Sequence, residues 1–153
     1  MAAIEFTVHG LQQAAQGLAG IPKKVRDSVG RELFQFAEEV MAVSKTRVPV
    51  KTGTLMNTGH VDPPVNEATS VFVTFGYGGP AAPYALYVHE ALEGAVPPNP
   101  AWSWAKAAAA GKQIQWTRPG SGPKYLENPL KEKQDELPAR IKAAIHSALH
   151  YGE

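Results

Sequence analysis

The chain has 153 residues, 44% of them hydrophobic and 19% charged, a globular balance at a length that one hydrophobic core can serve. Its 15 Lys and Arg against 14 Asp and Glu leave a formal net charge of +1, no electrostatic basis for tight binding to nucleic acid or an anionic membrane. The lack of cysteine excludes a disulfide framework, thiolate metal sites and a cysteine nucleophile. No basic-then-apolar leader appears, and no apolar run approaches the roughly 20 residues of a membrane helix, so a soluble protein that stays in the cell where it is made is expected.

Ile4, Phe6 and Val8 alternate with Glu5, Thr7 and His9 ahead of Gly10, the period of a half-buried strand. The Ala- and Gln-rich stretch from Leu11 to Gly20 reads as a short helix loosened by Gly17 and Gly20. Pro22 suits a first helical position. Beyond it Val25, Val29, Leu33, Phe36, Ala37, Val40 and Val43 recur at spacings of three and four, which predicts an amphipathic helix from Pro22 to Arg47. The cluster Lys23, Lys24 and Arg26 reads as its solvated face. Pro49 pushes Val48 out of the helical region and ends the helix.

After "VPVKTGTL", Leu55 to Val61 reads as a strand ended by Asp62-Pro63-Pro64. Val71 to Phe75 is a β-branched and aromatic strand, broken by Gly76-Tyr77-Gly78-Gly79-Pro80. Tyr84 to Leu92 fits either a helix or a strand. Between 94 and 123, Asn99-Pro100 opens a small helix over Ala101–Ala110, Gln113 to Thr117 fits a strand, and Pro119-Gly120-Ser121-Gly122-Pro123 is a turn. Asn128-Pro129 repeats the helix-start signal. Leu130, Leu137, Ile141, Ile145 and Leu149 then make an apolar stripe, with Pro138 set to kink or split the helix. The expected fold class is α+β: a small antiparallel sheet packed by the long helix of the N-terminal half and a C-terminal helix, one domain over 1–153 with a Pro/Gly/Trp-rich insertion at about 94–120.

Catalytic readings fare poorly. Lys51-Thr52-Gly53 and Ser121-Gly122-Pro123-Lys124 supply the nominal boxes of a serine acyl-enzyme, in which a lysine activates the serine. That serine should open a buried helix, whereas Ser121 lies in a Gly/Pro turn and comes after the other box. His146 and His150 stand one helical turn apart, but no acid of a His-Glu-x-x-His motif lies between them, and solvated residues beside a helix C-terminus describe them better. His89-Glu90 lacks a second histidine. No glycine pattern opens a helix that could hold a phosphate. Trp102, Trp104 and Trp116 could stack on bases, yet no basic groove accompanies them, and they read as core or interface anchors. No catalytic, cofactor or metal residues are expected.

Three segments occur in order: "RVPVKTGTL" after the long helix, "PYALYVHE", and "GPKYLENPL" ahead of the last helix. This succession resembles the small neck or tail-completion proteins of long-tailed bacteriophages, also described as minor capsid or minor tail proteins, and spans about residues 4 to 149. The residues that carry the likeness are Pro49, Thr52, Gly53 and Leu55; Tyr84, Ala85, Val88, His89 and Glu90; and Lys124, Tyr125, Leu126 and Glu127. Met56 stands where many relatives have arginine, Ala91-Leu92-Glu93 where many have Phe-Gly-Thr, and the 94–120 segment is longer than the family pattern. The first group has a local reading too: Gly53 supplies positive φ, Leu55 returns to the core, and the Thr52 hydroxyl bonds the nearby backbone.

The resemblance implies a non-enzymatic virion protein of the head–tail junction, made in the host cytoplasm. It would form a homo-oligomeric ring around the DNA channel, between other connector and tail proteins, without sequence-specific DNA contact. Tyr84, Glu90 and Lys124 are then either subunit contacts or intrachain packing, and Trp102, Trp104 and Trp116 are expected to reach an adjacent protein. A tail terminator or a minor capsid component elsewhere in the particle is the alternative position.

Overall fold

A computed structural model describes residues 3–10, 22–91, 110, 116 and 118–150. The helix expected over Leu11–Gly20, nearly all of the helix Ala101–Ala110 and the strand Gln113–Thr117, and Trp102 and Trp104 lie outside the described residues. The rest is α+β: a small antiparallel sheet backed by a long helix and a C-terminal helix.

The strands are β1 (Ile4–His9), β2 (His60–Val61), β3 (Val65–Asn66) and β4 (Val71–Tyr77). β4 is central: β1 lies along one edge, from Ile4 opposite Tyr77 to His9 opposite Phe72, while β2 and β3 share the other. Its alternation sorts the faces, as Val71, Val73, Phe75 and Tyr77 are fully buried while Phe72 and Thr74 are half-buried on the opposite side. The outer face carries a Thr7–Thr74 hydroxyl contact of 3.0 Å and the His9 and Phe72 rings 5.4 Å apart.

Helix α1 (Lys23–Arg47) runs about 38 Å at 1.5 Å per residue and covers the inner face. Val25, Val29, Leu33, Phe36, Ala37, Val40 and Met41 form its buried stripe. Pro22 stands one place before the helix rather than inside it. Its ψ is 138°, and its carbonyl accepts from the Val25 and Arg26 amides at 3.0 and 3.1 Å. At the far end Val48 adopts ψ 133°, as the clash with the Pro49 ring requires, and is fully buried.

The strand expected over Leu55–Val61 is mostly something else. Gly53 takes φ +85° and launches a four-residue helix, α2 (Thr54–Asn57), which drops Leu55 into the core. Thr58 closes it, its hydroxyl donating to the Leu55 carbonyl at 2.7 Å. Only His60 and Val61 then pair with β4. Pro63 and Pro64 offer no N–H to a ladder, and pairing resumes at Val65, which the sequence reading missed. Across this gap the outer strand uses one residue more than β4, a bulge.

β4 also continues two residues past the break expected at Gly76. Gly76 has Glu5 opposite it on β1 and His60 on β2, and a Cβ there would stand 2.2 Å from the Ile4 carbonyl oxygen. With no side chain between them, Glu5 and His60 approach to 3.7 Å over the middle strand.

Of the stretch Tyr84–Leu92, in which Leu92 lies outside the described residues, Ala85–His89 forms a helix, α3. The last helical region begins at Glu127, earlier than Asn128-Pro129 suggested, with Pro129 in the first turn, where its missing N–H costs nothing. Pro138 splits this region. It cannot donate to the Gln134 carbonyl and crowds it, so the chain tightens into a 3₁₀ turn, Gln134–Glu136, between α4 (Glu127–Lys133) and α5 (Leu137–His150). α5 packs along α1 through half-buried Leu137, Ile141, Ala144, Ile145 and Ala148; Leu149, assigned to this stripe from the sequence, is 52% exposed. Arg140 fastens the pair, its guanidinium donating to Glu39 at 2.8 and 2.9 Å and to Glu32.

Gly76→Ala forces β1 and β4 apart and is expected to cost about 3 kcal/mol, the upper end for overpacking. Gly79→Ala, at φ +96° with open space around it, should cost about 1 kcal/mol. Urea midpoints at constant m-value distinguish the two, and equal losses would contradict the close approach at Gly76.

Candidate functional site

The three segments that carry the resemblance converge on one place, beside the C-terminal end of α1 and the inner face of the sheet. Two of them are directly interlocked. α3 ends at His89, with Glu90 as its C-cap. The chain returns through a turn closed on itself: the Ser121 amide donates to the Arg118 carbonyl at 3.1 Å, and the Ser121 hydroxyl donates to the same oxygen at 2.7 Å. From this turn Arg118 reaches back to α1, where its Nη2 donates to the Lys45 and Val48 carbonyls at 2.9 and 2.6 Å. The Gly122 amide adds a bond to the Arg47 carbonyl at 3.1 Å. Carbonyls at a helix C-terminus lack intrahelical donors, and here a distant loop supplies them.

Lys124 then takes φ +57°, unusual for a side chain with a Cβ. The conformation aims its amide at the His89 carbonyl, 2.7 Å away, and turns Tyr125 and Leu126 into the core. The Tyr125 hydroxyl donates to the Ala85 carbonyl at 2.8 Å. Its ring meets those of Tyr77 and His89 edge-on, with centroids 5.1 and 4.9 Å apart. Tyr77 in turn donates to the Ser44 hydroxyl at 2.9 Å. Burial pushes the Tyr77 phenol up to about 12 and raises Tyr125 further, so both stay neutral donors at any physiological pH.

His89 is fully buried, and both ring nitrogens are engaged. Nε2 lies 3.2 Å from the Glu127 amide, which can only donate, so Nε2 is the acceptor. Nδ1 therefore carries the proton and donates to the Glu90 carboxylate at 2.8 Å. Burial lowers the imidazole pKa against the opposing pull of Glu90, which fits this neutral form. Around it, Lys124 bridges the Glu90 and Glu127 carboxylates, and Lys131 also binds Glu127. Lys131 and Lys124 hold the Glu127 carboxyl down to about 2, and Lys124 holds Glu90 below the usual carboxylate range. Lys124 is raised by Glu90 first and Glu127 second.

His89, Glu90 and Glu127 bring possible metal-ligand atoms within 4.8 Å of one another. They do not suit a cation. A metal on Nδ1 would move the proton to Nε2, where it would face the Glu127 N–H, and the Lys124 ammonium already serves both carboxylates. His146 and His150 sit exposed on α5 with ring centroids 4.1 Å apart. The nominal acyl-enzyme residues are committed elsewhere: Ser121 to Arg118, Lys124 to two carboxylates, and Lys51 exposed on the turn after α1.

The remaining expected site residues fall into place around this lock. Leu55, Ala85, Val88, Tyr125 and Leu126 are core; Pro49, Gly53 and Tyr84 are half-buried. The Thr52 hydroxyl meets that of Thr54 at 2.9 Å rather than the backbone, because α2 brings Thr54 round. Met56 packs against the core, and Ala91 is buried. Trp116, expected to reach another protein, is half-buried and packs against the core. Arg118, Gly122, Ser44 and Tyr77 were missed. Only Ser44 left a trace in sequence, as a polar residue on the apolar stripe of α1.

No protein-family model, curated protein or solved structure matches this chain.

Tyr125→Phe removes the only hydrogen that the Tyr125 side chain gives the Ala85 carbonyl while keeping the ring. The carbonyl keeps its helical donor, the His89 amide of α3, so the loss should be about 1 kcal/mol in chemical denaturation, the net worth of one buried hydrogen bond. A neutral substitution would mean that the phenol's bond adds nothing to stability.

Proposed function

We propose that this chain is a structural, non-catalytic subunit of the head–tail junction of a long-tailed bacteriophage, assembled with copies of itself into a ring between other connector and tail proteins. The observation that carries the reading is the interlocking of the resembling segments. "PYALYVHE" and "KYLE" are joined by five contacts: the Lys124 amide to the His89 carbonyl, the Glu127 amide to His89 Nε2, Tyr125 to Ala85, Lys124 to Glu90, and the His89–Tyr125 ring contact. "VPVKTGTL" is tied to the same place through Arg118 and Val48. Segments that resemble a family in order therefore also cooperate in space, which chance matches to three short motifs have no reason to do.

In this reading the subunit works through surfaces, and the lock orients them. β1 ends the sheet, and among the described strands none pairs with its outer edge, so strand addition from a neighbouring copy is a suitable joint. A closed ring results when such head-to-tail contacts repeat.

Virions carrying a label on this chain, imaged by electron cryomicroscopy, should show the label at the junction of head and tail, and label elsewhere in the particle would refute the placement. Trp102→Ala with Trp104→Ala is expected to abolish ring formation in mass photometry while leaving the thermal midpoint unchanged. Trp116→Ala should instead lower that midpoint, because Trp116 packs against the core.

A further inference from the structure

We infer that His89 is a proton-operated latch, which on taking a second proton at Nε2 releases the segment from Lys124 to His150 from α3. At this joint the acceptor of the Glu127 amide is the imidazole itself. The Glu127 amide donates to Nε2 at 3.2 Å, inside a site where His89 has no exposure to water that could replace the bond. An imidazolium has no lone pair on either nitrogen, so no rotation of the ring restores an acceptor. Two N–H groups then face each other in a buried space, and the joint must open to hydrate one of them.

The groups facing His89 have mixed effects. Glu90 at the end of α3 and Glu127 at the start of α4 favour the charged ring, while Lys124 and burial oppose it. Tyr125 contributes its ring edge, Phe6 of β1 lies at a centroid distance of 6.3 Å without charge, and the Tyr77 phenol stands behind Tyr125. Burial is the largest of these influences and lowers the pKa.

The segment beyond Lys124 is suited to move as a unit. α5 has no buried residue, and its hold on α1 consists of half-buried apolar side chains, the Ser28–Ala144 hydrogen bond and the Arg140 ion pairs. Tyr125, Leu126 and Pro129 are the buried residues between the latch and α5.

Linkage sets the sign. A histidine depressed in the closed state binds its proton more readily when open, so closure is fully stable above the ordinary histidine value of about 6.5 and weakens as pH falls below it. Glu90, Glu127, Glu132 and Glu39 are all held below their usual range, so they remain charged between pH 7 and 5.

Amide hydrogen exchange of the full chain, corrected for intrinsic rates, tests the latch. Protection over 124–150 should fall by up to about ten-fold per pH unit below about 6.5, while β4 keeps its protection. His89→Gln, which can donate to Glu90 and accept from the Glu127 amide at every pH, should abolish that dependence; exposed His146 and His150 remain in both proteins and cancel. Equal pH dependence in the variant, or joint loss over β4 and 124–150, would overturn the inference. Should the variant not fold, NMR titration of the wild-type imidazole decides. Charging of His89 in step with loss of protection supports the latch, and charging without such loss, or loss without charging, ends it.

Discussion

The packing of one helix face onto one strand sets the terms for everything else. Among the described strands β4 alone has neighbours on both edges, and its inward residues Val71, Val73, Phe75 and Tyr77 are the floor on which α1 lies. Burying that many large side chains is worth roughly 1.5–3 kcal/mol each before conformational entropy is subtracted. The arrangement has a consequence at its open end. Tyr77 comes last in the inward row, and a phenol there must find a partner; Ser44, one turn beyond Met41 on α1, supplies it. The polar end of an apolar interface thus becomes the place where a polar joint can be built.

That joint ties the segment from Arg118 to Glu127 onto α1 and α3. Arg118 and Gly122 attach to the terminal carbonyls of α1, Lys124 and Glu127 to His89, and Tyr125 fills the space between Tyr77, His89 and Ala85. Each bond is modest on its own, about 1 kcal/mol net for a neutral pair. Their effect lies in mutual dependence. The Lys124 backbone enters the left-handed region only because its amide and the side chains after it are all received, and His89 holds one tautomer only because both nitrogens are. The exposed ion pairs around Glu90 and Glu127 add less, since solvent screens them.

The sequence disclosed what periodicity and proline govern. β1, α1 and the body of β4 can be read from residue spacing alone, and the end of α1 from the restriction that Pro49 places on Val48. What stayed hidden depends on contacts between distant residues. Leu55–Val61 has a strand's composition, but a left-handed Gly53 and the core's need for Leu55 wind its first half into α2. Gly76 looked like a terminator because its role is to keep two neighbouring strands close, which only the pairing reveals. Arg118 sat in a Pro/Gly turn with nothing to mark it as a helix cap. At the candidate site, the motif residues were picked out, but their engagement with one another was not, since no local signal says that the Lys124 amide finds the His89 carbonyl.

This engagement bears on how a family likeness relates to binding. His89, Tyr125, Leu126, Ala85 and Val88 are spent within the fold, and Glu90 and Lys124 face each other, so the resembling residues chiefly describe how the chain folds. Surfaces that could choose a partner are composed of other residues. They include the outer sheet face with Glu5, His9, His60 and Phe72, the free edge of β1 among the described strands, and the open groove between α1 and α5 lined by Ser28, Arg31 and Ser147. Two chains sharing the lock could therefore hold the same scaffold and meet different neighbours. The lock would fix the angle at which those surfaces are presented, and residues outside the three segments would decide what they touch.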